Sequence, residues 1–159
     1  MHGTTLDWEE IKVLGKVILK RGNGRFLVLR RSMEAHRRPG CWDFPGGNVE
    51  PENVEVDYVN SGRGDSTDIL NKVMVREVEE ETGVVIEGDR LKVVLAASGF
   101  DPSKKLFVIA LGYVYELEDE VRIVLSDEHT EYAWVTKEAF GELEVGDDGG
   151  MLGSLVARV

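Results

Sequence analysis

The segment Asp68–Val84 reads as an amphipathic helix, but it carries glutamates where such a helix normally carries apolar residues. At about 100° per residue, one side of the helix is apolar and holds Leu70, Val73 and Met74. Steps of three and four residues bring three carboxylates onto that same side, namely Glu77, Glu80 and Glu81. Glu79 points to the opposite side. The helix therefore turns a row of negative charges toward the body of the protein.

Folding alone does not favour this arrangement of glutamates. Like charges three and four residues apart on a helix repel by about 0.2–0.5 kcal/mol per pair. The helix dipole also disfavours negative charge near a helix C-terminus. A divalent cation removes both penalties, because hard cations bind several carboxylate oxygens that converge from one side. The pattern predicts a divalent-metal site on this helix, with a solvated acidic helix end as the alternative.

The composition excludes several classes of partner. The chain has 159 residues, with 30 Asp plus Glu against 19 Lys plus Arg and a formal net charge of -11. Such a surface repels phosphate backbones and anionic lipids, so we expect neither a nucleic-acid polymer nor a membrane as partner. The single cysteine, Cys41, excludes an internal disulfide and a thiolate metal site. We expect a cytoplasmic protein, monomeric or homodimeric, in which residues 1–159 form a single domain.

The periodicity of apolar residues predicts an α/β fold with a mixed β-sheet. The predicted order β-β-β-α-β-β-β-α lacks the strict strand–helix alternation of a parallel sheet. The main helix runs from near Asp68 to Thr82, where Gly83 ends it, and residues 48–67 read as an extended loop. The expected strands are Ile11–Lys20, Arg25–Arg31, a short stretch at Cys41–Pro45, Leu91–Ala97, Leu106–Leu117 and Tyr132–Val135. Short helices are expected from Lys137 and over Met151–Arg158.

Gly46-Gly47 is followed by the segment REVEEETGV over 76–84. These two segments resemble those of the Nudix hydrolases, the family of MutT-related pyrophosphohydrolases, whose pattern is Arg-Glu-aliphatic-any-Glu-Glu-any-Gly-aliphatic. The flanks Leu29-Arg30-Arg31, Trp42-Asp43-Phe44-Pro45, Asp127-Glu128-His129 and Tyr132-x-Trp134-Val135 are also similar to those of the family. The resemblance extends from about Leu14 to Phe140. It implies a Nudix-like α/β/α sandwich with a mixed β-sheet.

The first half of the Nudix box departs from the family pattern. The family has Glu six residues after the second glycine, where this chain has Asn53, and Arg76 follows Asn53 by 23 residues instead of eight. An insertion at about 54–67 accounts for the difference. Asp68 lies eight residues before Arg76, so we expect it to replace the first box glutamate. Glu50 and Glu52 are competing candidates in the loop that follows Gly47.

The resemblance implies hydrolysis of a nucleoside diphosphate linked to another moiety, giving a nucleoside monophosphate and a phosphorylated product. It also implies that Mg²⁺, or Mn²⁺ in its place, is held by Glu77, Glu80, Glu81 and the backbone carbonyl of Gly46. Cations of this kind neutralise the oxygens of a pyrophosphate so that water can attack phosphorus. Arg76 is expected to orient Glu77 or to tie the loop to the helix.

The general base and the substrate contacts stay open at the level of sequence. The base is either a box glutamate such as Glu77 or an acid of a later loop, for which Glu128 is the candidate. Distal phosphates are expected near Arg30, Arg31, Arg37 and Arg38, and a nucleobase on Phe100 or Phe107. Nucleoside triphosphates and nucleotide sugars both remain possible substrates. A non-catalytic nucleotide-binding sensor on the same fold is the alternative function.

Overall fold

A computed structural model of the protein describes residues 7–50, 63–146 and 150–159. Four strands precede the main helix, namely β1 (Glu10–Lys20), β2 (Phe26–Arg31), β3 (Trp42–Asp43) and β4 (Gly46–Asn48). The main helix is α1 (Ile69–Thr82), and a 3-10 turn follows at Gly88–Arg90. The remaining elements are β5 (Lys92–Asp101), β6 (Leu106–Glu116), β7 (His129–Val135), α2 (Lys137–Phe140) and α3 (Met151–Val156). Within the described ranges, no helix has both the length and the apolar character needed to span a bilayer.

The seven strands form one mixed sheet, as the element order predicts. The main path is β3-β2-β1-β6-β5, with β4 paired to β1 and β7 paired to β2. The pair β1–β6 is parallel along its whole length, from Glu10 opposite Leu106 to Lys20 opposite Glu116. The other pairs are antiparallel. The central strand β1 therefore has β6 on one side, while on the other side it pairs with the glycine strand β4 at Leu14–Lys16 and with β2 at Lys20.

Alternating side chains of the sheet build two hydrophobic cores, one on each face. Val17 and Leu19 of β1 pack on the face covered by α1, together with its Val73, Met74 and Val78. Ile18, which lies between them, packs on the opposite face, against side chains of α2 and α3 that include Phe140, Leu152 and Leu155. This layering confirms the α/β/α arrangement.

Helix α1 has the capping residues that the sequence predicts. The N-cap Asp68 accepts a hydrogen bond from the Leu70 N–H at 3.0 Å through Oδ1 and from the Gly64 N–H at 3.2 Å through Oδ2. Gly83 ends the helix with a left-handed backbone (φ 73°), which glycine adopts without strain. Both carboxylate oxygens of Asp68 are thus occupied by backbone donors at the start of the helix.

Replacing Asp68 with alanine is expected to destabilise the protein by about 1 kcal/mol, because two backbone N–H groups lose their acceptor. Denaturant unfolding measures the difference. Asp68→Asn provides the control, since asparagine caps helices about as well as aspartate. Equal stability of wild type and Asp68→Ala would contradict the capping role.

The strand β4 was not predicted, and the bounds of two predicted strands differ from the prediction by more than two residues. β5 continues to Asp101 instead of ending at Ala97, because its residues pair with β6 as far as Asp101 opposite Leu106. β7 begins at His129 and not at Tyr132, since His129 pairs with Arg31 of β2. In both cases the local sequence favours a loop, and pairing with the neighbouring strand makes the segment continue as a strand. Glu52, Asn53 and most of the predicted insertion at 54–67 lie outside the described residues.

Candidate functional site

The glycine strand β4 lies directly against β1. In this antiparallel pair Gly46 is opposite Lys16 and Gly47 is opposite Gly15. Gly46 has φ +147°, and a Cβ there would overlap the carbonyl oxygen of Gly15 and lie 2.9 Å from Cα of Lys16. Only glycine fits so close to a neighbouring backbone. The tight pairing leaves the other side of Gly46-Gly47 free to meet α1.

Two carboxylates of α1 contact this glycine strand. The Gly46 N–H donates a hydrogen bond to Oε2 of Glu81 at 3.3 Å. A Cβ at Gly47 would lie 2.9 Å from Cδ of Glu77, so the Glu77 carboxylate rests on the glycine backbone. The structure thus brings Gly46, Gly47, Glu77 and Glu81 together from segments about 30 residues apart.

The environment of the site disfavours negative charge. Burial raises the pKa of Glu81 to about 8; the charge of Lys16 opposes this, while the charges of Glu77 and Asp43 add to it. Burial also raises the pKa of Glu77; Arg76 opposes the shift, and the charges of Glu80 and Glu128 add to it. A bound dication would reverse these effects, because it stabilises the ionised carboxylates.

Glu80 and Arg76 lie at the open edge of the site. The Glu80 side chain is 61% exposed, which differs from the expectation that all three glutamates face the protein body. Its Oε1 lies 3.6 Å from Nε of Arg76, and Nη2 of Arg76 donates to Oε1 of Glu77 at 3.0 Å. Arg76 is therefore placed where an orienting role toward Glu77 requires it, and that role stays a prediction.

The donor set of the site suits a hard divalent cation. Across residues 7–50, 63–146 and 150–159, no three His, Cys, Asp or Glu side chains are grouped closely enough to form a complete site by themselves. Mg²⁺ does not require such a group, because it binds through one or two carboxylates and retains several waters. Glu77 and Glu81 supply two carboxylates, and the backbone of Gly46 lies next to them. The residues present fit Mg²⁺ or Mn²⁺.

Glu128, the predicted acid of a later loop, is near enough to Glu77 for its charge to act on that carboxyl. It immediately precedes β7, and its backbone carbonyl accepts a hydrogen bond from the Ser32 N–H at 2.8 Å. Its side chain is exposed, and its charge contributes to the raised pKa of Glu77. Its role as general base stays a prediction.

The arginines expected to contact substrate make internal contacts in this structure. Arg30 Nε donates to the Gly40 carbonyl and its Nη1 pairs with Glu131 at 3.0 Å. Arg31 Nε donates to the Arg37 carbonyl at 2.9 Å, so these arginines hold the loop between β2 and β3. Burial lowers the pKa of Lys12, and the charge of Arg37 lowers it further. Their contact with substrate remains a prediction.

Two further predicted residues lie away from the glycine strand. Phe100 is half-buried and lies opposite Phe107 of β6, whose ring is tilted against the ring of Trp8 with 5.2 Å between the centroids. Glu50 is exposed beyond the end of β4, and its charge acts on the pKa of Lys12. Asp68 lies at the start of α1, where its two carboxylate oxygens accept from the Leu70 and Gly64 N–H groups.

Sequence reasoning missed three charged or titratable groups beside the site, namely Lys16, Asp43 and His129. Asp43 is fully buried and Lys16 Nζ bonds its Oδ2 at 2.8 Å. A signal was available, since an aspartate within the apolar stretch Cys41–Pro45 has to be paired if it is buried. His129 is 7% exposed, and its Nδ1 has no partner among the residues that the structure describes.

His129 is expected to make the protein less stable in acid. Burial lowers its pKa from 6.5 to about 4; the charge of Asp43 opposes this, and Arg31 and Lys16 add to it. Between these two pH values the imidazole of His129 binds a proton in the unfolded chain but not in the native protein. The free energy of unfolding therefore falls as the pH falls through this window, by up to about 3 kcal/mol from this group.

Denaturant unfolding at pH 7, 6, 5 and 4 checks this expectation. The wild type is expected to lose more stability across the series than His129→Gln, which has no titrating ring. Parallel curves for the two proteins would show that the native state accepts the proton on His129.

Comparison with known proteins agrees with this geometry. The family model described as NUDIX domain matches residues 15–151. Over 76 residues the chain is 34% identical to Nudix hydrolase 9 of Arabidopsis thaliana, a match that covers 42% of this chain and 24% of that protein. The match thus spans about a quarter of that curated relative's length.

Solved structures share the fold over most of the chain. The MutT protein from Methanosarcina mazei Go1 is 25% identical, with a TM-score of 0.68 over 94% of this chain and 93% of that one. The NUDIX domain of Shewanella oneidensis NrtR, complexed with ADP ribose, is 14% identical, with a TM-score of 0.66 over 91% and 85%. A C. elegans Ap4A hydrolase is 22% identical, with a TM-score of 0.54 over 91% and 93%. With its glycine strand set against the glutamates of α1, and with a family match over most of its length, the chain belongs to the NUDIX domain family.

Proposed function

We propose that the protein hydrolyses a phosphoric anhydride bond in a small nucleotide-type molecule and that it requires Mg²⁺ or Mn²⁺. Glu77, Glu80, Glu81 and the backbone carbonyl of Gly46 are the proposed ligands of the cation. The observation that carries the proposal is the contact of Glu77 and Glu81 with Gly46-Gly47, at a place where burial disfavours their charge.

The cation, when bound, neutralises phosphate oxygens and so lets water attack phosphorus. The chain's own residues supply position and proton transfer. The Gly46 N–H holds Glu81 at Oε2, and Arg76 holds Glu77 at Oε1. Glu128, which is exposed and whose charge acts on Glu77, is the proposed acceptor of the proton that the attacking water releases.

The proposed substrates are nucleoside triphosphates and nucleotide-sugar type molecules, cleaved to a nucleoside monophosphate and a phosphorylated product. Two relatives support a nucleotide ligand: one is a hydrolase of Ap4A, and the other is complexed with ADP ribose. In this chain, Arg30, Arg31 and Arg37 are the proposed phosphate contacts and Phe100 the proposed nucleobase contact.

A panel of nucleotides tests the proposal. Purified protein is incubated with nucleoside triphosphates, ADP-ribose, nucleotide sugars and dinucleoside polyphosphates, with Mg²⁺ and with EDTA. We expect a nucleoside monophosphate from at least one of these substrates with Mg²⁺ and none with EDTA. Nucleotide binding without hydrolysis at any Mg²⁺ or Mn²⁺ concentration would favour the non-catalytic sensor instead.

Mg²⁺ is also expected to raise the melting temperature of the wild type, because it binds only the native state. At 100 times Kd the stabilisation is about 2.7 kcal/mol. A triple variant with Gln at 77, 80 and 81 is expected to melt at one temperature with and without Mg²⁺. Thermal unfolding in millimolar Mg²⁺ and in EDTA measures both proteins. A wild type that shows no shift would remove the metal site from the proposal.

A further inference from the structure

Asp43, the last residue of β3, carries a buried carboxylate that binds three cationic side chains. Its residue exposure is 0%, and its Oδ1 accepts a hydrogen bond from the Phe44 N–H at 2.8 Å. Oδ2 accepts from Lys16 Nζ at 2.8 Å and from Arg38 Nη2 at 3.0 Å, and lies 3.6 Å from Nη1 of Arg31. Burial alone would raise the pKa of Asp43, but the charges of Lys16 and Arg38 outweigh it and lower the pKa below its usual value. Asp43 is therefore ionised.

The three cations differ in their access to water. The Arg31 and Arg38 side chains are 26% and 29% exposed, and each also donates to a backbone carbonyl, that of Arg37 and of Val145 respectively. The Lys16 side chain is only 12% exposed, and its Nζ also donates to the Phe44 carbonyl at 3.4 Å. Without Asp43 the two guanidinium groups can turn toward solvent, whereas the Lys16 ammonium would remain largely buried and need another anion.

The neighbouring anion for Lys16 is Glu81. Lys16 lies opposite Gly46 in the β1–β4 pair, and the Gly46 N–H bonds Glu81. The charge of Lys16 already acts on Glu81, since it opposes the rise that burial causes in the pKa of that carboxyl. Among the ion pairs of the described residues, Lys16 is nevertheless paired with Asp43 and not with Glu81.

We propose that Asp43 is a positioning residue of the metal site that acts through Lys16: it holds the ammonium group away from Glu81, which stays available for the cation. The inference rests on the proposed function, because it concerns the same metal site. The glycine strand itself does not depend on Asp43 alone. The Val17 N–H bonds the Pro45 carbonyl at 2.8 Å, and the β1–β4 pairing holds Gly46 opposite Lys16.

Binding of Mn²⁺ alone, measured from the electron paramagnetic resonance signal of the free ion, tests this inference without substrate. Asp43→Asn is expected to raise the Kd for Mn²⁺ at least about tenfold, because Lys16 then neutralises Glu81. Asp43→Asn combined with Lys16→Met is expected to return the Kd to within about threefold of wild type. A merely structural role for Asp43 predicts no recovery of the Kd in the double variant, since that variant loses further contacts.

Asn71→Ala is the matched control for lost stability. Asn71 is buried in the first part of α1, and its Nδ2 donates to the carbonyls of Gly64, Asp65 and Gly88 at 3.1 Å each. This variant is expected to melt earlier than wild type with an unchanged Kd for Mn²⁺. A control that loses affinity as Asp43→Asn does would show that destabilisation alone weakens the site.

Each remaining outcome is decisive. An unchanged Kd in Asp43→Asn, or no recovery in the double variant, overturns the role of Asp43 while leaving the proposed hydrolysis intact. A wild type that binds no Mn²⁺ overturns both. If Asp43→Asn does not fold, Lys16→Met alone decides: its Kd is expected to stay equal or fall, and a rise of more than about tenfold overturns the inference.

Discussion

Replacing Glu81 with glutamine is expected to lower turnover at least about 100-fold while the metal-free protein melts no earlier than wild type. The loss of activity follows because the substitution removes the charge of a proposed metal ligand. The stability follows from the burial of Glu81, whose exposure is 6% and whose pKa burial raises to about 8. A neutral amide of the same shape avoids the cost of a buried charge. Steady-state kinetics in saturating Mg²⁺ and thermal unfolding in EDTA measure the two quantities.

Glu79→Gln is the matched control for this experiment. Glu79 lies two residues earlier on the same helix, is exposed, and undergoes the same chemical change. We expect its turnover to stay within about twofold of wild type, as is usual for surface substitutions. Equal losses from Glu79→Gln and Glu81→Gln would overturn the assignment of the metal-binding face.

Gly46→Ala is expected to cause a large loss of stability, about 3 kcal/mol or more, together with loss of activity. The new Cβ would overlap the Gly15 carbonyl oxygen and lie 2.9 Å from Lys16 Cα, and both are backbone atoms that cannot turn aside. The backbone of Gly46, at φ +147°, is also one that alanine rarely adopts. Denaturant unfolding of the metal-free protein measures the loss.

Gly99→Ala serves as the comparison. Gly99 also lies in a strand, has no positive φ, and a Cβ there would meet nothing within 4 Å. Its unfolding free energy is expected to change by no more than about 1 kcal/mol. If Gly46→Ala unfolds at the same denaturant concentration as Gly99→Ala, then β4 can move away from β1 at little cost, and the close pairing is not required.

Local sequence predicted the helix and the outer limits of most strands. Asp68 and Gly83 cap α1 because their own conformations favour those positions. The glutamate face was predicted from helical periodicity. Periodicity indicates which way a side chain points from the helix axis, but it does not give how deeply that side chain is buried. Glu80 and Glu81 differ by one residue, about 100° around the helix. That step separates a side chain that is 61% exposed from a residue that is 6% exposed.

The rest depends on pairing between distant segments, which a local pattern does not contain. Strand β4 is three residues long, and two of them are glycines, so it exists because β1 pairs with it. Asp43 is stable in the interior because Lys16, 27 residues earlier, reaches its carboxylate. The extension of β5 to Asp101 likewise follows from the length of β6.

The parallel pairing of β1 with β6 has a consequence for how the site forms. Glu10–Lys20 receives its longest partner only when Leu106–Glu116 is present, and most of the chain lies between them. Closing such a long loop is entropically costly, and folds dominated by distant pairings form slowly. During synthesis, the glutamate helix leaves the ribosome before the strand that completes the support of β1. The proposed metal site is therefore expected to reach its final geometry late, after the chain has been made past Glu116.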